Sequence, residues 1–367
     1  MCWTLPSLLN RFQHPASVAF LPPPLPLIQP LTLSDFLLAP GPLLDVRAPT
    51  EFAAGHIPGA VSFPLFTDEE RARVGTTYKQ INPDKAMLLG LDFFGPKMSE
   101  LVRHAKKLAP GGAVRVHCWR GGLRSGAVAW LLDLAGLETR QLIGGYKEYR
   151  RAALAEAVRP RALRVLGGLT GSGKTAVLHA LAALGEPVLD LEGLAHHKGS
   201  AFGAIGQPAQ PTQEQFENNL AAALARLPAN EPIWVEDESR SVGAISVPGA
   251  FYEQLRAAPL VVLNVPHAAR VAHLAADYGA QDAQQLALAV LRITKRLGGL
   301  ATKQALSAIV EGDMTRMVEI VLDYYDKTYQ FGLDKRAAQV LLIPTDTADP
   351  AANAARVRAA LGARSAA

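Results

Sequence analysis

The chain has 367 residues, 49% hydrophobic and 19% charged, enough for two ordinary domains that each bury a sizeable core. Lys and Arg number 37 against 33 Asp and Glu; this mild excess, with a pI near 9.0, permits an anionic or nucleic-acid partner without requiring one. Two cysteines, one of them at position 2, exclude a disulfide framework and point to a reducing compartment, with the cytoplasm as the default.

Residues 1–30 read as a loosely ordered leader. Its apolar stretch, residues 20–28, is interrupted by prolines and far too short to span a bilayer. It also lacks the basic start and small-residue cleavage site of a signal peptide, so no membrane association is expected. The first globular unit is expected over residues 31–155. A short helix over 32–38 precedes a buried strand over 43–47, which ends in Asp45 and Arg47, read as a structural ion pair. Residues 51–61 read as a Gly- and Pro-punctuated turn before another strand. The connection from 67 to 101 is long for a loop and therefore has a function or structure of its own. It carries Lys79 and Lys85 as candidate contacts to an anionic partner. A helix over 99–108, with Ser99 as its N-cap, follows.

Residues 113–117 read as a short strand and 126–134 as a helix capped by Ser125, so Cys118 sits where a strand turns tightly into a helix. Gly121 and Gly122 let the backbone curl so that several N–H groups point inward. Such a cradle beside a helix N-terminus attracts anions, and Arg120 and Arg124 add positive charge. This environment should lower the Cys118 pKa below that of a free thiol, about 8.5, and give a reactive thiolate facing an anion pocket. A strand and turn over 139–146 and a charged helix over 147–158 close the unit, and Pro160 marks the boundary.

The second unit, residues 160–367, opens with a strand over 162–166. It runs into Gly168-Leu169-Thr170-Gly171-Ser172-Gly173-Lys174-Thr175 and then a helix, a Walker A loop in its required strand-loop-helix setting. The N–H groups around Gly168, Gly171, Ser172 and Gly173 can wrap phosphates, Lys174 supplies a point charge, and Thr175 can hold Mg²⁺. A strand over 187–192 ends in acids, Asp190 among them. His196 and His197 lack companions at metal spacing and read as surface or substrate contacts. The strand over 232–240 ends in Glu236, Asp237 and Glu238, a Walker B position whose functional acid stays open among these candidates. A buried strand over 260–265, a mostly helical stretch over 282–330, a last strand over 340–344 and a last helix over 351–361 complete the chain. Arg292, Lys295 and Arg296 form a basic node and, with Lys79 and Lys303, are candidate contacts to an anionic partner. Strands alternating with helices predict parallel sheets covered on both faces.

Residues 44–47, 51–52 and 55–60 resemble the first hallmark of rhodanese domains, and the Cys118 loop resembles the second. The resemblance spans about residues 31–150 and implies a catalytic cysteine carrying sulfur or selenium as a persulfide-type intermediate. With Cys-Trp-Arg-Gly-Gly at 118–122, the Walker A loop and Val-Glu-Asp-Glu-Ser-Arg at 235–240, the chain from about residue 31 resembles the bacterial tRNA 2-selenouridine synthases. The resemblance implies an α/β chain, a rhodanese-like domain followed by a P-loop NTPase-like parallel-sheet domain with a helical C-terminal part. It also implies replacement of sulfur by selenium in wobble 2-thiouridine of tRNA, with selenophosphate as donor, supplied by a selenophosphate-producing enzyme. Geranyl diphosphate would first alkylate the sulfur, and the Walker A loop would hold its diphosphate. Two rivals remain. His117-Cys118-x5-Arg124-Ser125 also matches cysteine-dependent phosphatases, whose thiolate attacks phosphorus, although no general-acid loop is evident. Alternatively the first unit is a sulfurtransferase or carrier-docking module beside an ATP-binding regulatory domain.

Overall fold

The computed structural model describes residues 28–334 and 340–365. Two five-stranded, all-parallel sheets organise it. The first contains β1 (Gln29–Leu31), β2 (Leu43–Asp45), β3 (Ala60–Ser62), β4 (Ala113–His117) and β5 (Glu138–Leu142), in the order β1-β5-β4-β2-β3. The second contains β6 (Leu163–Gly168), β7 (Val188–Leu189), β8 (Ile233–Glu236), β11 (Leu260–Asn264) and β12 (Val340–Pro344), in the order β12-β11-β6-β8-β7. Between β8 and β11 in sequence, β9 (Ser241–Val242) and β10 (Ile245–Ser246) form a small antiparallel hairpin. The expected α/β class and parallel sheets hold.

The leader expected up to residue 30 lies mostly outside the described residues. Its end is not loose: Gln29 and Pro30 belong to β1 and run beside Arg140 and Gln141 of β5. Pro30 is tolerated because β1 is an edge strand, where a missing N–H costs no ladder bond. The 67–101 connection has a structure of its own, as expected, whereas three other local expectations need correction. The 67–101 connection is a helical hairpin, Asp68–Gln80 and Pro83–Phe94, each helix started by a side-chain cap. Thr67 and Glu70 form a reciprocal capping box, and Asn82 accepts from the Lys85 N–H with Pro83 at the first helical position. The next helix, Met98–Leu108, begins one residue before Ser99, with Lys97 at its cap position. The helix after the cysteine loop is Leu123–Leu134, preceded by Gly122, so Ser125 lies inside its first turn rather than capping it. Residues 49–54 form a helix, Pro49–Ala54, so the expected Gly- and Pro-punctuated turn before β3 is confined to residues 55–59.

Both strands that carry the motifs are central. β4 lies between β5 and β2, and β6 between β11 and β8, so each loop leaves the carboxyl end of an interior strand. In open parallel sheets that end, where neighbouring connections diverge, is where ligands are met. Val114 and Val116 share one buried face of β4, opposite Arg115, whereas the adjacent Val165 and Leu166 are buried on the two faces of β6. A third core, built from helices between 267 and 334, includes Leu274, Val290, Ala305 and Met317 and forms the helical extension.

The two units meet along helices Gly145–Ala157 and Gln213–Arg226. Tyr146, Tyr149 and Ala153 share a core with Ala221. Tyr146 Oη donates to Glu214 (2.7 Å) and accepts from Asn218 Nδ2 (2.7 Å), and Asn218 also donates to the His56 carbonyl (3.0 Å). Thr212 caps the second helix and donates its hydroxyl to the Ala54 carbonyl (2.6 Å). These buried polar groups are paired across the seam, as burial requires.

Candidate active sites

The Cys118 loop is pinned from below by the turn after β5. Tyr146 N–H donates to the Cys118 carbonyl (2.8 Å) and Lys147 N–H to the Trp119 carbonyl (2.9 Å). The approach needs glycine: a Cβ on Gly145, whose φ is +61°, would lie 2.4 Å from both the Cys118 carbonyl oxygen and the Gly121 nitrogen. Gln141 reaches in from β5 and donates to the Gly121 carbonyl and to Ser125 Oγ, both at 2.8 Å.

Cys118 is buried, and Ser125 Oγ donates to its sulfur at 3.2 Å. Burial pushes the thiol up. The Ser125 hydroxyl, the N–H groups of Ser125 and Arg120, and the Arg124 charge outweigh it and leave the pKa below its ordinary value. The expected lowering of the thiol pKa therefore has a structural cause. The two arginines serve differently. The Arg120 side chain is exposed, and its backbone N–H faces the sulfur. Arg124 is half-buried and paired with Glu51, Nη1 to Oε2 at 2.6 Å and Nη2 to Oε1 at 3.2 Å. Partial burial opposes the Glu51 charge, but Arg124, the Ala48 N–H and Arg71 hold that carboxyl below its usual range. Glu51 thus fixes the guanidinium beside the loop; its position 73 residues upstream gave no sign of this.

Beneath the loop, Arg47 and Asp45 form the expected ion pair, fully buried, with Nη2 to Oδ2 at 2.6 Å. Arg47 also donates to the Gly55 carbonyl (2.6 Å) and lies 3.8 Å from the Tyr146 ring centroid, which helps to offset its desolvation. His117 is buried next to Asp45 (3.7 Å); burial pushes its pKa down to about 4, so it is neutral at physiological pH.

The second site is the phosphate loop. Gly168, Gly171 and Gly173 have φ of +151°, +83° and +73°, and helix Lys174–Ala183 starts directly after it. Lys174 Nζ folds back to the Gly168 carbonyl (3.0 Å), and Ser172 is buried within the loop. The Gly168 N–H donates to Tyr329 Oη at 2.8 Å. Thr175 Oγ1 donates to Glu192 Oε2 (2.6 Å), an acid that follows β7 and was not singled out from the sequence. Its signal was present: Asp190 and Glu192 follow the same strand. Asp190 caps helix Leu191–Ala195, accepting from the Gly193 N–H (2.6 Å), and pairs with His179 (2.7 Å).

The three Walker B candidates separate. Glu236 is completely buried; burial, and then the charges of Asp190 and Glu192, push its carboxyl well above the usual range. One oxygen accepts from the Leu191 N–H (3.1 Å). Asp237 lies at the cleft with Arg256 3.6 Å away. Glu238 is buried against Glu192; burial and that neighbour raise its pKa strongly, while Lys174 pulls it down. Glu192 and Glu238 therefore flank Lys174 and Thr175, whereas Glu236 supports them from the core. Among the described residues no group of three or more His, Cys, Asp or Glu side chains is arranged to hold a metal ion. A phosphate-bound Mg²⁺ needs only one or two protein oxygens, and Thr175 with Glu192 supply hard donors of that kind.

The phosphate loop opens into a cleft of about 1020 Å³. Part of its wall is aromatic and apolar, with Phe202, Leu274, Tyr278, Tyr324 and Tyr325, beside the charged Lys198, Arg256, Asp277 and Arg296. Of the basic node, Arg296 lines this cleft, 3.3 Å from Tyr324 Oη. Arg292, Lys295 and Lys303 are exposed on neighbouring helices, and Lys79 is exposed on helix Asp68–Gln80 of the first unit. His197 is buried and its pKa lowered, chiefly by burial, whereas the His196 ring bonds the Ala209 carbonyl (2.8 Å). No helix among the described residues is long and apolar enough to cross a membrane.

Comparisons with known proteins bear on both sites. Residues 31–152 match the rhodanese-like domain family, and residues 161–356 match the tRNA 2-selenouridine synthase AAA domain. A tRNA 2-selenouridine synthase of Nitrosomonas europaea is 41% identical over 255 residues, covering 67% of this chain and 66% of that protein. Those of Nitrosomonas eutropha and Bdellovibrio bacteriovorus are 33% and 36% identical, covering 83% and 86% of this chain and 91% and 94% of theirs. A thiolate loop and a phosphate loop on two parallel sheets, with relatives of this kind along most of the chain, have one consequence: the chain belongs to the tRNA 2-selenouridine synthase family.

Proposed function

We propose that the chain replaces sulfur by selenium in wobble 2-thiouridine of tRNA, in two half-reactions assigned to its two units. The observation that carries this division is the cleft, which joins a phosphate loop to an aromatic, apolar wall. Such a site suits a diphosphate with a hydrocarbon tail, and geranyl diphosphate has that chemistry. Lys174 and the loop N–H groups hold the diphosphate and stabilise its departure, while Tyr278, Tyr324 and Tyr325 pack the chain. Alkylation turns a poorly leaving carbonyl-like sulfur into a thioether that selenium can displace. Selenophosphate, a tetrahedral anion, binds at the Cys118 loop, where Arg124 and inward N–H groups meet its charge.

Arg292, Lys295, Arg296 and Lys79 are the proposed tRNA contacts, and phosphate contacts of this kind make affinity fall steeply with salt. The reaction places the protein with tRNA in the cytoplasm, downstream of a selenophosphate-producing enzyme. The test is nucleoside mass spectrometry of 2-thiouridine tRNA incubated with the protein, geranyl diphosphate and selenophosphate. A product carrying selenium is expected; unchanged 2-thiouridine with all components present would refute the proposal.

A further inference from the structure

The Cys118 loop surrounds its sulfur with hydrogen-bond donors and a positive charge. His117-Cys118-x5-Arg124-Ser125 curls so that the N–H groups of Arg120 and Ser125 converge on the sulfur from one side. Glu51 locks the Arg124 guanidinium beside it. The Ser125 hydroxyl donates to the sulfur at 3.2 Å, and Gln141 fixes that hydroxyl from the other side at 2.8 Å. A ring of donors around a thiolate holds the three oxygens of a tetrahedral phosphoryl group. Oxygens seated in the ring put phosphorus in front of the sulfur, and the fourth substituent points outward, in line with the attack.

We propose that the Cys118 thiolate attacks the phosphorus of selenophosphate, not its selenium, and releases hydrogenselenide at the mouth of the loop. This rests on the assignment of selenophosphate to this loop made above. An S–P bond forms and the P–Se bond breaks; its electron pair leaves with selenium, which takes the one proton that selenophosphate carries near neutral pH and departs as hydrogenselenide. Phosphorus keeps its oxidation state, and no oxidant or reductant is consumed. Water then cleaves the S–P bond, giving inorganic phosphate and returning the thiolate, which the Ser125 hydroxyl stabilises as it departs. Transfer of selenium itself to Cys118 as a perselenide would instead reduce phosphorus to phosphite or require an added oxidant.

The surroundings agree with this leaving group. Two carboxylates beside the loop, Glu51 and Asp45, are held by Arg124 and Arg47 and are not poised as general acids. An alkoxide leaving group needs such an acid, whereas hydrogenselenide is a weak base and departs without a proton from the protein. The loop therefore accepts a phosphoryl group from selenophosphate but cleaves alkyl phosphates poorly.

The experiment incubates the full-length protein with inorganic selenophosphate alone, denatures it rapidly and maps the Cys118 peptide by mass spectrometry. Expected is a phosphoryl adduct on Cys118 without the selenium isotope pattern, absent in Cys118→Ser and longer-lived in Ser125→Ala. Selenium on Cys118 with phosphite in solution would overturn the proposal, as would no adduct on a protein that selenates tRNA. A second arm gives S-geranylated tRNA and free hydrogenselenide to Cys118→Ser. Selenated product there, but not with selenophosphate, supports the proposal; no product, while the wild type reacts with either source, contradicts it. If the wild type selenates tRNA from neither source, the proposed function itself fails.

Discussion

Removing the Ser125 hydroxyl tests the physical account of Cys118 most simply. Ser125→Ala deletes the 3.2 Å hydrogen bond to the sulfur and, with it, the acceptor that Gln141 engages. A hydrogen bond to a charged group contributes about 1.5–3 kcal/mol, and one pKa step corresponds to about 1.4 kcal/mol, so the thiol pKa should rise by ~1–2. The N–H groups of Ser125 and Arg120 and the Arg124 charge remain, so the thiol does not revert completely. The assay is the pH dependence of Cys118 alkylation by iodoacetamide. The midpoint should move up, with about tenfold to a hundredfold slower alkylation on the acidic side. Gln141→Leu should move it in the same direction by less, because it only frees the hydroxyl to turn toward the Gly122 carbonyl, 3.1 Å away. An unchanged midpoint in Ser125→Ala would refute the assignment of the lowered pKa to this hydroxyl.

Further outcomes follow from other contacts. Lys174→Ala should weaken pyrophosphate binding, read by calorimetry, by about tenfold to a hundredfold, the worth of one charge-assisted contact, and leave Cys118 alkylation unchanged. Gly145→Ala should lower the melting temperature by several degrees and disturb Cys118 reactivity. The left-handed φ alone costs about 1–2 kcal/mol, and the clash with the cysteine loop adds to it. Glu236→Gln tests the buried acid. Its folded pKa is raised, first by burial and then by Asp190 and Glu192, so its stabilisation is complete below the ordinary glutamate range. It is lost as pH rises toward the folded value. The variant's melting temperature should therefore gain on the wild type as pH increases; a gap that does not vary with pH would contradict the buried charge penalty.

Much of this architecture can be read from local sequence. β4 falls on residues 113–117 as expected, and the Walker A loop lies between a strand and a helix because its glycines permit the turn that its phosphate chemistry needs. Local pattern fails where partners are distant. Ser125 has the composition of an N-cap, but the helix already begins at Leu123 after Gly122, and the Ser125 hydroxyl turns to the sulfur instead. Arg124 looks free in sequence, yet Glu51 holds it. Glu192 stands beside Asp190 at a strand end in the sequence, but its contact with Thr175 arises only on folding. The helical hairpin over 68–94 was legible from Thr67-x-x-Glu70 and Asn82-Pro83, whose capping chemistry is local. The aromatic wall of the cleft was not, because Phe202, Tyr278 and Tyr324 come from segments far apart in the chain.

The central claim is that the two loops carry separate half-reactions. The most direct measurement compares the nucleosides made by Cys118→Ser and Lys174→Ala from 2-thiouridine tRNA, with geranyl diphosphate and selenophosphate both present. Cys118→Ser should accumulate the S-geranylated nucleoside. Lys174→Ala should leave 2-thiouridine untouched, yet selenate tRNA that has been geranylated beforehand. Two variants that stop at the same species, or a Lys174→Ala protein that fails on the pre-geranylated tRNA, would contradict the account.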